Sequence, residues 1–116
     1  MSKLVHIVDD DRDLAASLAD VLQVFGYGTV YSPSGPEAMA RLQHGPWPNV
    51  ILLDLMMPGM SGWEVCDALT RSPELVIIPI IIMTAASNLE IPMPSGALAI
   101  LNKPFDLGEL VTHLQG

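Results

Sequence analysis

The chain is 116 residues long, enough for one domain, and half of its residues are apolar, enough to bury a core. Thirteen Asp and Glu oppose five Lys and Arg, giving a formal charge of −8. That balance argues against a surface for nucleic acid or an anionic membrane, because both require a basic footprint.

Met1-Ser2-Lys3 runs directly into an apolar stretch that stops at three aspartates, which is not the form of a signal peptide. Leu4-Val5-His6-Ile7-Val8 predicts a strand buried on both faces, ending at Asp9-Asp10-Asp11. Leu14, Leu18, Val21, Leu22 and Phe25 trace one stripe of a helix, and Gly26 supplies its stop. Gly28 to Tyr31 is a weak second strand. Ser34-Gly35-Pro36-Glu37 has the form of a capping box with proline in the first turn, opening a helix through Leu42. His44 to Pro48 is loop. Val50-Ile51-Leu52-Leu53 is the third strand, ending at Asp54, and Ser61-Gly62-Trp63-Glu64 caps a helix that runs to about Arg71. The longest apolar stretch, Leu75 to Met83, is too short to cross a bilayer; broken by Pro79, it reads as a buried strand, with Pro79 to Met83 as the fourth strand proper. Ala97 to Leu101 is the fifth strand, and Asp106-Leu107-Gly108-Glu109 is a third cap, before a short helix carrying Leu110 and Leu114.

Apolar strands alternating with helices predict an α/β fold, a doubly wound five-stranded parallel sheet covered on both faces. One connection breaks the alternation. Between Thr84 and Ala97 a helix is due, yet Pro92 and Pro94 each remove a donor and bias the preceding residue away from helix. The expectation there is at most a turn or so from Ala86 to Glu90, then an irregular loop over Ile91 to Gly96.

Ligands of an open parallel sheet bind outside the carboxyl ends of its strands. Here those ends deliver Asp9, Asp10 and Asp11, then Asp54, then Thr84, and, two residues after the fifth strand, Lys103. Crowded carboxylates raise one another's pKa unless a cation neutralises them, and an all-oxygen, strongly negative set suits a hard divalent ion, Mg²⁺ most simply. A lysine beside them is a point charge for a phosphoryl oxygen, and a threonine hydroxyl can donate to another. Such a site is built for phosphoryl chemistry, with Asp54 as the carboxylate nucleophile that forms an acyl phosphate.

Val8-Asp9-Asp10-Asp11, Leu53-Asp54-Leu55-Met56-Met57-Pro58 with Gly62 beyond, Pro79 to Ala85, and Asn102-Lys103-Pro104-Phe105 resemble the four signature blocks of bacterial response-regulator receiver domains, the CheY-like superfamily of two-component signalling. The resemblance covers nearly the whole chain, residues 1–116 as one receiver domain. It implies a flavodoxin-like (βα)5 fold, here with the fourth helix shortened or replaced by a loop. It makes Asp54 the phosphoacceptor, Asp10 a direct Mg²⁺ ligand, Asp9 a ligand mainly through water, and the Met56 carbonyl the remaining protein ligand. Thr84 would hydrogen-bond the phosphoryl group and move on activation; Lys103 would pair with a phosphoryl oxygen, with a cis bond to Pro104. The donor would be a phosphohistidine on a sensor histidine kinase or phosphotransfer protein, and the receiver would catalyse the transfer and its own later hydrolysis. A downstream effector of unknown kind would read the switch. The oligomeric state is open, with a homodimer among its forms, and a cytoplasmic location is the default for a chain with neither a signal-peptide pattern nor an apolar run long enough to cross a bilayer.

Two positions depart from the family. An aromatic residue is usual three positions before the lysine, where this chain has Ile100, and the family's fourth helix is the proline-broken segment. A phosphorylation-independent interaction module is therefore the alternative reading. A turnover phosphatase is disfavoured, since such hydrolases need a second acid where Met56 stands. For the remaining side chains the simpler readings hold: Asp11 as a helix cap, Cys66 as a small apolar helix residue, His6 as a satisfied core histidine, His44 and His113 as surface residues, Trp47 and Trp63 as packing residues, and Met56, Met57 and Met60 as loop packing.

Overall fold

The structure, a computed structural model, describes residues 3–85 and 94–115. Among them strands and helices follow in the order β1 (Leu4–Val8), α1 (Arg12–Val24), β2 (Gly28–Ser32), α2 (Gly35–His44), β3 (Val50–Asp54), α3 (Gly62–Thr70), β4 (Ile80–Thr84), β5 (Ala97–Asn102) and α4 (Leu107–Gln115). All strand pairs are parallel, in the spatial order β2-β1-β3-β4-β5.

Strand residues alternate between faces, so a strand that is apolar throughout must be covered twice. Val8, Ile51, Leu53, Ile80 and Ile82 pack against Ala38 and Leu42 of α2 and Val65, Cys66 and Leu69 of α3. Val5, Ile7, Leu52, Ile81, Met83 and Leu101 pack against Ala15, Leu18 and Leu22 of α1 and Leu110 of α4. Each Val, Leu, Ile or Met side chain among them, fully buried, stabilises the fold by about 1.5–3 kcal/mol.

The helices start and stop where their sequences dictate. Asp11 caps α1 by accepting the Leu14 N–H, and Ser34 caps α2 by accepting the Glu37 N–H. Ser61 and Glu64 cap α3 reciprocally. At the end of α1, Gly26 (φ 89°) carries a left-handed turn in which its N–H reaches the Gln23 carbonyl and the Tyr27 N–H reaches that of Leu22. The third cap departs from expectation. Asp106 accepts from Gly108 N–H at 2.7 Å, while Glu109 N–H goes to the Asp106 backbone carbonyl at 3.0 Å. An aspartate side chain folds readily onto the amide two residues on, so the glutamate partner is bypassed.

The apolar run before β4 is not strand. Val76 N–H bonds to the Ser72 carbonyl and Ile78 N–H to that of Leu75, closing turns, and the ladder begins only at Pro79, whose carbonyl accepts Ile51 N–H. Leu75 and Ile78 dip into the core while Val76 and Ile77 are exposed.

β5 is irregular. Ala97 pairs with Ile80 but Ala99 pairs with Ile81, so Leu98 is an extra residue and stands exposed. The insertion reverses the alternation: Ala97 packs on the α2/α3 face and Ala99, two residues on, on the α1/α4 face. Ile100 thereby lies partly buried on the α2/α3 face. The short turn expected from Ala86 to Glu90, and the loop expected beyond it up to residue 93, lie outside the described residues; Ser95 and Gly96 form a turn into β5.

Candidate functional site

The strand order reverses between β1 and β3, which opens a crevice at their carboxyl ends. In-register pairing brings the four loaded ends level. Val8 stands beside Leu53, Asp54 beside Met83, and Thr84 beside Asn102. The residues that follow β1 and β5 therefore meet the ends of β3 and β4 at one edge.

There, carboxylate oxygens of Asp9, Asp10 and Asp54 lie within 4.8 Å of one another. Asp9 and Asp54 are buried and Asp10 is exposed. The ammonium of Lys103 sits 2.7 Å from Asp9 Oδ2 and 3.6 Å from Asp54 Oδ2. Each buried carboxylate ties its other oxygen to its own loop: Asp9 Oδ1 accepts Asp11 N–H at 2.9 Å, and Asp54 Oδ1 accepts Met56 N–H at 3.1 Å. Both Oδ2 atoms are thus turned toward Lys103.

Burial pushes the Asp54 carboxyl up to about 6, the Asp9 and Asp10 charges add to this, and the Met56 N–H and Lys103 pull against it. Burial opposes the charge on Lys103 too, but its hydrogen bond to Asp9 and the charge of Asp54 outweigh it and its pKa is raised. Three carboxylates against one ammonium leave two negative charges, which one divalent cation balances. Oxygen donors, charge and spacing therefore fit a metal ion.

Thr84 is buried at the end of β4, and its carbonyl accepts the Lys103 N–H at 2.7 Å, which anchors the chain that carries the ammonium. The Lys103–Pro104 bond is cis. Met56 follows Asp54 with its side chain exposed, Met57 is buried, and Met60 is partly buried against the core. Of the three, Met56 does not pack as expected.

Glycine at position 62 has a steric reason that the sequence did not declare. A Cβ there would stand 2.6 Å from both the Asp54 carbonyl oxygen and Leu55 Cα, so α3 starts against the backbone of the Asp54 loop. Tyr31 was not picked out by the sequence at all. Its hydroxyl donates to the Asp9 carbonyl at 2.7 Å. An apolar cavity of about 480 Å³ adjoins Lys103, lined by Leu14, Leu18, Pro104, Phe105 and Leu107 among others. A second, of about 300 Å³, lies at the far end of the sheet among Leu4, His6, Arg41 and Pro46, away from the acidic edge.

The residues read as structural behave so. His6 is buried with Nε2 at 2.7 Å from Ser32 Oγ, and burial followed by the Arg41 charge lowers its pKa to about 4. Cys66 is buried, and burial, helped by Asp67, pushes its thiol up to about 11. Trp63 packs against the core, and Trp47, though exposed in part, donates from Nε1 to the Leu42 carbonyl. His44 and His113 are exposed. No helix among the described residues is long and apolar enough to cross a membrane.

Comparison with known proteins agrees with this geometry. DNA-binding response regulator MtrA of Mycolicibacterium paratuberculosis is 33% identical over 115 residues, which cover 99% of this chain and 51% of that protein. Sensory transduction protein RegX3 of Mycolicibacterium smegmatis is 31% identical over 111 residues, 96% of this chain and 48% of that one. The chain thus spans about half the length of the curated relatives it matches. Among solved structures, chemotaxis protein CheY4 of Vibrio cholerae superposes with a TM-score of 0.90 at 30% identity, covering 99% of this chain and 98% of that one. Response regulator protein TrrA of Thermotoga maritima, in complex with Mg²⁺-BeF, does so with a TM-score of 0.86 at 29% identity, covering 97% and 96%. The sequence model of the response regulator receiver domain matches residues 5–115, and the chain belongs to that family of phosphoacceptor signalling domains.

Proposed function

We propose that residues 1–116 act as one receiver domain in which Asp54 accepts a phosphoryl group from a phosphohistidine. The observation that carries this reading is the split of the Asp54 carboxylate: Oδ1 is held by the Met56 N–H, while Oδ2 faces the space shared with Asp9, Asp10 and Lys103. An Asp54 oxygen attacks phosphorus in line, the P–N bond breaks, and the imidazole leaves with the electron pair and takes up a proton. Asp10, Asp54 and the Met56 carbonyl would hold Mg²⁺, with Asp9 reaching it through water, and the bound ion would supply charge neutralisation for the phosphoryl oxygens. Lys103 leaves Asp9 for one phosphoryl oxygen, and the Thr84 hydroxyl donates to another. Water attack on the acyl phosphate then returns Asp54 and inorganic phosphate.

The donor is a sensor histidine kinase or phosphotransfer protein. The net charge of −8 directs the contacts of these residues to proteins rather than nucleic acid or membrane. The effector, or a second copy of the chain, reads the phosphorylated state.

A second reading, an interaction module that signals without phosphorylation, is favoured by one feature. Ile100 packs against the core where relatives of this family carry a swinging aromatic ring. Titration with Mg²⁺ and beryllofluoride, a mimic of the bound phosphoryl group, separates the two. Tight joint binding that is abolished by Asp54→Asn supports the phosphoacceptor; binding of neither supports the module.

A further inference from the structure

The peptide that joins Asp9 to Asp10 carries two of the proposed metal ligands, in a loop of three consecutive aspartates that repel one another. Two hydrogen bonds within the loop oppose that repulsion: Asp9 Oδ1 accepts Asp11 N–H at 2.9 Å, and Asp11 Oδ1 accepts Leu14 N–H at 3.1 Å. Both are local turns of an acidic side chain onto its own backbone, and neither ties the loop to the sheet. Two more come from β2. Asp9 N–H continues the ladder to the Ser32 carbonyl at 3.3 Å, and the Tyr31 hydroxyl donates to the Asp9 carbonyl at 2.7 Å. The second is the shorter, and it acts on the Asp9–Asp10 peptide itself.

Tyr31 is well placed to hold that bond. Its ring packs on the α1/α4 face of the sheet, and the guanidinium carbon of Arg12, the first residue of α1, stands 6.0 Å from the ring centroid. That is the outer reach of a cation–π contact. The ring therefore lies beside Arg12, at the start of the helix that the aspartates open. Burial foremost, with the nearby aspartates adding, raises the hydroxyl's pKa against the pull of Arg12.

We infer that Tyr31 is a positioning residue for the acidic site: its hydroxyl fixes the Asp9–Asp10 peptide and so the directions in which the two carboxylates face, with Arg12 steadying the ring. This rests on the reading of the cluster as a metal site and adds to it two residues that lie outside the cluster.

Tyr31→Phe deletes one hydrogen bond and keeps the ring. Tyr27→Phe, a buried tyrosine of the same core that lies before β2, serves as the control for general loss of stability. Two quantities are read: amide exchange at Asp11 and Leu14, and the Mg²⁺ dissociation constant by calorimetry. Tyr31→Phe is expected to speed exchange at both amides and to weaken Mg²⁺ binding about tenfold, the low end for loss of an outer partner of a metal ligand. Phosphorylation from acetyl phosphate should return to the wild-type level at saturating Mg²⁺. Tyr27→Phe should change neither beyond its effect on global unfolding. Exchange and Mg²⁺ affinity in Tyr31→Phe that match Tyr27→Phe overturn the inference. If the wild-type chain itself binds no Mg²⁺, the metal reading fails, and the exchange rates alone still decide whether Tyr31 braces the loop.

Discussion

Lys103 is paired with Asp9 more closely than with Asp54: its ammonium stands 2.7 Å from the first carboxylate and 3.6 Å from the second. Asp9 is fully buried, so this ammonium is its main compensation for leaving water. The resting lysine is thus stored on a carboxylate one strand away from the nucleophile, within reach of it.

Removing the lysine should be costly. Lys103→Ala leaves a buried carboxylate without its charge partner, a loss of about 3–5 kcal/mol for a fully buried pair. Lys103 is itself 21% exposed, so about 2–4 kcal/mol is expected here. Urea denaturation without metal measures it, and added Mg²⁺ should restore part of the loss. A change below about 0.5 kcal/mol, the level of ordinary surface substitutions, would mean that the pair is not formed in solution.

Asp54 makes stability depend on pH in the opposite sense to most carboxylates. Its pKa is about 6 in the folded chain and 3.8 when unperturbed. Between these values the folded chain binds more protons than the unfolded one, so the Asp54 contribution falls as pH rises from about 4 to about 6 and stays low above. The difference corresponds to about 3 kcal/mol, with the attraction to Lys103 already included in it. Metal-free Asp54→Asn should therefore be about 1–3 kcal/mol more stable than wild type at pH 7.5 and equal to it near pH 4. Urea midpoints at the two pH values test this, and a gap that does not open with pH would contradict the raised pKa.

Gly62→Ala should disturb the Asp54 loop without touching a charge. The added Cβ meets backbone at 2.6 Å, which a side-chain rotation cannot relieve. Overpacking of this kind costs about 1–3 kcal/mol, and displacement of the Asp54 carbonyl should lower phosphorylation at fixed Mg²⁺. A variant with unchanged melting temperature and phosphorylation would show that the approach is looser than described.

The apolar stretch before β4 separates residues that look alike in sequence. Ile77 is 75% exposed and Ile78 is 6% exposed. Ile78→Ala should cost about 2–4 kcal/mol and Ile77→Ala less than about 0.5 kcal/mol. Comparable losses at the two positions would restore the strand reading of that stretch.

Much of the site was legible in the sequence because its physics is local to each strand. A parallel sheet aligns strand ends, so the sequence alone puts Asp9, Asp54, Thr84 and Lys103 at one edge. The caps at Asp11, Ser34 and Ser61 were legible for the same reason, each depending on residues three positions apart. What escaped depended on partners distant in sequence or on hidden registers. The turn at Leu75 to Ile78 has the composition of a strand, and only its place before Pro79 makes it close on itself. The bulge at Leu98 shows in no residue type, because Ala97 and Ala99 suit either face. Tyr31 reads as an ordinary strand aromatic until β2 is laid beside β1.

The most direct measurement is intact mass after incubation with acetyl phosphate and Mg²⁺, with Asp54→Asn and a chelated sample in parallel. One added phosphoryl group on the wild-type chain alone is the expected result. A group retained in Asp54→Asn, or none acquired from either acetyl phosphate or a phosphohistidine donor, would contradict Asp54 as the acceptor.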